Sequence, residues 1–252
     1  MSPKMANHMR SKIRALLEEW SKAMDSHDRR RVKLWCHDFA HLSRLLSDLR
    51  QKRQSRNVKN AEDWNPFRIA RVGHLETKLH TPFLKALFDC NGGHGQGTLF
   101  FKLFLHQLTR LPGGPPTKDI HFFVSGRFQS DYMCREEVFD RESGRMDLII
   151  ERRFGLDPFC IIIENKIRAF EQSNQLERYL SYLKKHVAPS NRCFLVYLHA
   201  FGDEHRPKSG NNCLVMRYQN QITNMLRQAD TYVRAQTVRD TLRQYRAVID
   251  EL

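Results

Sequence analysis

Two apolar runs, Arg145-Met-Asp-Leu-Ile-Ile-Glu151 and Cys160-Ile-Ile-Ile-Glu-Asn-Lys-Ile167, decide how this chain is read. Both are short and rich in β-branched residues, the pattern of buried strands. Phe154-Gly-Leu-Asp-Pro-Phe159 between them carries Gly and Asp-Pro turn signals, so an antiparallel hairpin is expected. Asp147, Glu164 and Lys166 interrupt runs that should be apolar, and a buried charge requires compensation. A turn centred near Leu156 sets Asp147 opposite Glu164. Two facing carboxylates repel each other unless a cation lies between them. Side chains alternate along a strand, so Glu164 and Lys166 share a face while Asn165 points away. Two carboxylates and one ammonium then converge on one spot, a candidate catalytic site.

Outside this hairpin, composition limits the choices. A length of 252 residues fits one large domain with or without an appendage, and 40% hydrophobic content with 16 Phe is enough for a core. The net charge of +14 favours a polyanionic partner, nucleic acid ahead of an anionic membrane. No run approaches the ~18 apolar residues of a membrane span, and no secretion signal opens the chain. Six scattered cysteines without a Cys-x-x-Cys pair suggest reduced thiols in a cytoplasmic protein, with no zinc site or disulfide framework.

Residues 1–60 read as a basic helical arm. Ile13, Leu17, Trp20 and Met24 line one stripe; after a break at Ser26-His27-Asp28, Val32, Trp35, Phe39, Leu42, Leu46 and Leu49 line another, which predicts a helical hairpin. The arm holds 15 Lys and Arg against 6 Asp and Glu, so most of the excess charge lies there. Arg29, Arg30, Arg31, Lys52 and Arg53 are its candidate phosphate contacts. Gln51 to Asn60 is nearly free of apolar residues and reads as a linker. Residues 61–252 read as the main domain. A helix carries Glu76, His80, Phe83, Leu84, Leu87 and Phe88, a glycine loop follows at Asn91 to Gly97, and Thr98 to Thr109 is an apolar helix. The loop lacks the Gly-Lys-Ser/Thr ending of a nucleotide cradle and follows no strand. Strands are expected at Ile120–Val124 and Tyr132–Phe139, ahead of the hairpin, and at Cys193–His199 and Cys213–Arg217 after it. Between these come a helix from Gln172 to Val187 and a polar loop from Phe201 to Asn212. One or two helices finish the chain.

An acid with a Glu-x-Lys on the neighbouring strand suits phosphodiester cleavage, which needs a cation on the phosphate and an activated water. Asp147 and Glu164 offer hard oxygen ligands fit for magnesium. Lys166 can orient or deprotonate the water, or stabilise charge on the phosphate. These residues resemble the PD-(D/E)XK nuclease superfamily. Asp147 matches its first acid, Ile163-Glu164-Asn165-Lys166 its Glu-x-Lys, and Gln175-Leu-Glu-Arg-Tyr179 the Gln-x-x-x-Tyr helix of its RecB-like branch. Met146 stands where the family's name has Pro. Glu76 matches the acid on the helix before the sheet, which in that family helps hold metal. His94-Gly-Gln-Gly97 before an apolar helix is similar to a bacterial and phage subfamily.

The resemblance runs from Asn65 to Tyr197 and on toward Leu252, leaving residues 1–60 outside. It implies a restriction-endonuclease-like α/β fold, a mixed central sheet flanked by helices with an added N-terminal helical hairpin. It further implies a metal-dependent nuclease using Mg2+ or Mn2+ on DNA ahead of RNA. Asp147, Glu164 and Lys166 would be catalytic, with Gln175 and Tyr179 bonding the Lys166 region or the DNA backbone. His80 and His94 could contact phosphate or position metal ligands, and each is open equally to a structural role. Paired cuts in duplex DNA would favour a homodimer, and the family's habits suggest phage defence or mobile-element maintenance. The other reading open on the same residues is a non-catalytic nucleic-acid-binding or partner-binding protein on a nuclease-like fold.

Overall fold

The computed structural model describes residues 11–20, 26–60, 64–117, 132–153, 158–167, 172, 174–186, 192–200, 207 and 213–252; in 26–33 and at 57, 59 and 60 only the backbone is described. The expected strand at Ile120–Val124, the centre of the turn before Phe159 and nearly all of the loop after Phe201 lie outside these residues. The chain divides into two compact units, Met1–Trp64 and Asn65–Leu252.

The first unit contains a helix over residues 11–20 and a long helix, Ser26–Asn60. Two expectations are corrected here. Ser26 to Asp28 belong to the long helix rather than to a break, and Gln51 to Asn60 continue it rather than forming a linker. Polarity alone does not stop a helix. Gln, Lys and Arg are straight-chain helix formers, and no Gly or Pro occurs in that segment.

The second unit is built on a five-stranded mixed sheet of Met133–Asp140 (β1), Gly144–Arg152 (β2), Phe159–Lys166 (β3), Cys193–His199 (β4) and Leu214–Arg217 (β5), in the order β1-β2-β3-β4-β5. β1, β2 and β3 pair antiparallel, whereas β3, β4 and β5 pair parallel. The β1–β2 turn is tight because Asp140 Oδ2 accepts from the N–H groups of Glu142 and Ser143, and Gly144 takes φ 86° at its end. β3 is buried along its whole length, which explains its unbroken apolar sequence. Its alternating side chains supply two cores. Ile161 and Ile163 face the helices Thr81–Phe88, Leu99–Leu108, Thr223–Tyr232 and Gln236–Ile249. Cys160 and Ile162 face the helix Gln175–His186 through Leu176, Tyr179, Tyr182 and Leu183. A mixed sheet flanked by helices on both faces is the restriction-endonuclease-like arrangement.

Two irregular turns matter for the site. Glu76–His80 is a π-helical turn running directly into Thr81–Phe88. Pro82, just inside the second helix, has no N–H and its ring would press on the carbonyl one turn back, so the backbone widens ahead of it. A second π-turn, Tyr218–Ile222, starts the helix Thr223–Tyr232 and places Tyr218 behind β3. Asn65 caps Pro66–Ile69 by accepting from the N–H groups of Phe67 and Arg68, and its amide donates to Gln244 O, tying the C-terminal helix to the start of this unit.

Candidate active site

Strand pairing is interrupted at Asp147. On one side β1 pairs Glu136 with Leu148 and Val138 with Met146, passing over Glu137 and Asp147. Glu137 there takes φ 53°, a left-handed conformation that costs a non-glycine residue ~1–3 kcal/mol. On the other side the β2–β3 ladder ends at Leu148 and Ile163, so one further step sets Asp147 against Glu164. Asp147 Oδ2 accepts instead from the Asn165 N–H at 2.8 Å, bridging the strands with its side chain. The carboxylate is thereby fixed at the point where the sheet opens.

Glu164 is fully buried, and Asp147 and Lys166 nearly so. Lys166 Nζ lies 2.5 Å from Glu164 Oε1. Glu164 Oε2 is enclosed without a hydrogen bond of ordinary geometry; the nearby Tyr179 hydroxyl spends its proton on Arg145 O, at 2.5 Å. Burial, and next the Glu164 carboxylate, push Asp147 up to about 8. Burial likewise raises Glu164, against the pull of Lys166. For Lys166 burial works against the ammonium, but Glu164 and then Asp147 outweigh it and the net shift is upward. In this arrangement Lys166 is a cation.

The π-turn brings Glu76 to the end of β3, where its Oε2 accepts from the Ile167 N–H at 2.8 Å. Electrostatically Glu76 also acts on Asp147, Glu164 and Lys166. Gln175 and Tyr179 share a helical face: Gln175 Nε2 donates to the Tyr179 hydroxyl at 2.9 Å, and that hydroxyl donates to Arg145 O. Both are buried, so they brace the strand two residues before Asp147 and do not reach outward to a DNA backbone.

The far face of β3 carries a chain of buried polar groups that the sequence reading did not assemble. Asn165 Nδ2 donates to Thr81 Oγ1 at 2.9 Å, and Asn165 Oδ1 accepts from the Tyr218 hydroxyl at 2.9 Å. Beyond it, Tyr245 stands 2.8 Å from His80 Nδ1, and His80 Nε2 stands 2.8 Å from Gly73 O. A carbonyl can only accept, so Nε2 carries the proton and Tyr245 donates to Nδ1. One signal was available: an amide inside an apolar strand, pointing away from its charged neighbours, must find partners.

Two residues expected at phosphate are corrected. His80 is fully buried, with both ring nitrogens engaged, and burial lowers its pKa. His94 accepts from the Gln96 N–H through Nδ1 and holds Asp89 O through Nε2, clamping its own glycine loop against Phe100. Neither has a nitrogen left for a phosphate. Lys52 and Arg53 lie exposed on the long helix; Arg29, Arg30 and Arg31 lie on the same helix, with their side chains outside the described residues.

Among the described residues no three His, Cys, Asp or Glu side chains form a ready-made metal cage. The donor set nevertheless fits a hard divalent cation. Asp147 and Glu164 supply carboxylate oxygens, Glu164 Oε2 lacks an ordinary hydrogen bond, and the cost of holding these acids together is what a cation relieves. No helix among the described residues is long and apolar enough to cross a membrane.

Neither the curated proteins nor the solved structures give a match to this chain. A family model does match, that of the PD-(D/E)XK nuclease superfamily, over residues 64–247. That span takes in the whole sheet, both flanking layers and every acid described above, and the chain belongs to the PD-(D/E)XK nuclease superfamily.

Proposed function

We propose that the protein is a metal-dependent nuclease hydrolysing phosphodiester bonds, with DNA the first substrate to test. The observation that carries this reading is the meeting of Asp147, Glu164 and Lys166 where the β2–β3 ladder opens, with a buried carboxylate oxygen lacking an ordinary hydrogen bond. Asp147 and Glu164, assisted by Glu76, would hold Mg2+ or Mn2+. Such an ion neutralises phosphate charge and lowers the pKa of water. Lys166, held as an ammonium, orients the attacking water and stabilises negative charge developing on the phosphate. Gln175 and Tyr179 position the Asp147 strand. Asn165 anchors the Glu-x-Lys segment from behind.

Residues 1–60 form the substrate-gripping arm in this reading and 61–252 the nuclease domain. Arg29, Arg30, Arg31, Lys52 and Arg53 grip backbone phosphates, which makes binding fall steeply with salt. Within the second unit, a cleft lined by Phe67, Arg68, Arg71, His74, Ile167 and Val248 opens at the end of β3. Arg71, exposed there, is a second phosphate contact; Arg68 is already paired with Glu251 at 2.5 Å.

The test is to incubate purified protein with circular, linear and single-stranded DNA and with RNA, in Mg2+ or EDTA. Cleavage should require metal and fall on the order of 100-fold or more in Lys166→Ala. Absence of metal-dependent cleavage on every substrate, or Lys166→Ala cutting like wild type, sinks the enzyme reading. Salt-sensitive binding without cleavage would favour the non-catalytic module instead.

A further inference from the structure

The catalytic reading has no use for the apolar stripe of the Ser26–Asn60 helix. Trp35, Phe39, Leu42, Leu46 and Leu49 step by 4, 3, 4 and 3 residues along it. They are 73%, 49%, 57%, 54% and 62% exposed, and Leu45 beside them is 45% exposed. A seven-residue period carried mainly by two positions per heptad, here over two heptads with Leu45 beside them, is the pattern of a coiled-coil seam. A helix lying on a core usually shows a wider face. Phe39 and Leu46 occupy one seam position, and Trp35, Leu42 and Leu49 the other.

Charge narrows the choice of occupant. From Trp35 to Leu49 the helix carries Arg44 against Asp38 and Asp48, whereas Arg50, Lys52, Arg53, Arg56 and Lys59 follow without an acid. The stripe is therefore a nearly neutral window between basic ends. An anionic surface would be drawn to the ends rather than to the window. An identical stripe satisfies it, because an apolar seam is complementary to itself and a neutral window brings little like-charge repulsion. The area is adequate as well. Five side chains at half to three-quarters exposure, the aromatic ones ~150–250 Å² each, offer roughly 600–700 Å² per copy, so the pair buries about 1,300 Å², within the ~1,200–2,000 Å² of standard interfaces.

We propose that this stripe is a homodimer seam: the Trp35–Leu49 segment pairs with the same segment of a second copy as a coiled coil. The nuclease unit of each copy is then tethered to the other, and the basic Arg50–Lys59 ends flank the seam in duplicate. Only the consequence, two cuts delivered together, rests on the proposed catalytic function; the seam does not.

The test uses the full chain without metal or nucleic acid, by sedimentation velocity and light scattering from about 1 to 100 µM, the range in which a standard-size interface associates. Wild type should sediment as a dimer of 29.9 kDa chains. Leu42→Asp/Leu46→Asp should weaken dimerisation at least ~100-fold with helical circular dichroism intact, since two charges enter a desolvated seam. A wild-type monomer at the highest concentration, as when the stripe is covered by the chain's own second unit, overturns the proposal. So does a dimer indifferent to the double substitution. If the charged variant loses helix, Leu42→Ala/Leu49→Ala replaces it: dimerisation at least ~10-fold weaker is expected, since four buried Leu side chains are truncated per dimer, and no change overturns the seam. Failure here leaves the cleavage assay untouched, and failed cleavage leaves the sedimentation result untouched.

Discussion

Replacing Asn165 with Leu tests whether the polar chain behind β3 holds the candidate site. The change keeps the branching of the side chain and leaves no cavity, but two methyl groups are bulkier than an amide, so overpacking adds ~1–3 kcal/mol; it also removes the acceptor of the Tyr218 hydroxyl and the donor to Thr81 Oγ1. Both partners are buried, Tyr218 fully. Leaving a buried polar group unpaired costs ~1–3 kcal/mol. Thr81 can rotate its hydroxyl toward a backbone carbonyl of its own helix and escape much of that. Tyr218 has less freedom: its ring is packed edge-on to His80 at 5.2 Å, and its hydroxyl can turn only to that of Tyr245, which already serves His80. The expected loss is therefore about 2–6 kcal/mol, a large share of a ~5–15 kcal/mol total. Urea denaturation in EDTA, followed by circular dichroism, would read it as a lower midpoint at constant slope. Adding Tyr218→Phe removes the stranded hydroxyl, so the double variant should lose about 1–2 kcal/mol less than the sum of the single changes. A loss under ~1 kcal/mol in Asn165→Leu, or strict additivity with Tyr218→Phe, would refute the reasoning.

Three other outcomes follow from the site. Asp147, pushed up to about 8, binds a proton in the folded chain that the unfolded chain has released above about 3.8. Its contribution is thus full below 3.8 and is lost as pH rises toward 8, by up to ~1.4 kcal/mol per pH unit in metal-free buffer. Thermal melts should show this slope in wild type and a shallower one in Asp147→Asn, where Glu164 alone remains raised by burial. Mg2+ should raise the melting temperature more at pH 8 than at pH 5.5, since the ion competes with that proton; equal shifts at both values would rule out the Asp147–Glu164 pair as the ligand set. Tyr179→Phe removes the hydrogen bond to Arg145 O, so stability should fall by about 1 kcal/mol. Metal-dependent cleavage should fall roughly 10-fold through kcat with KM nearly constant, as for a positioning residue; a change confined to KM would mean that Tyr179 touches substrate.

The hairpin was legible because its physics is local. β-branched runs and turn signals fix two strands, and a turn centred near Leu156 gives the observed Leu148–Ile163 register directly. Cys193–His199 and Leu99–Leu108 were legible for the same reason, the first a nearly continuous apolar run and the second an apolar run interrupted by Lys102, His106 and Gln107. Periodicity of apolar residues carried no information about the helix from Gln51 to Asn60, which has almost none to count.

His80 and His94 show where residue type misleads. An imidazole one turn from Glu76, or inside a glycine loop, suggests phosphate or metal, yet both nitrogens of each are engaged by backbone atoms or by Tyr245, partners that residue identity does not reveal. What the sequence determined by itself was the placement of Asp147, Glu164 and Lys166 on paired strands and the face each one takes, because strand alternation is a backbone property. Only the tertiary structure decided what meets them. The π-turn ahead of Pro82 brings Glu76 to the end of β3, and Tyr179 reaches back to Arg145. A second π-turn sets Tyr218 behind Asn165. These contacts span 34 to 91 residues of chain, and such pairings are fixed by packing around the sheet rather than by any local pattern.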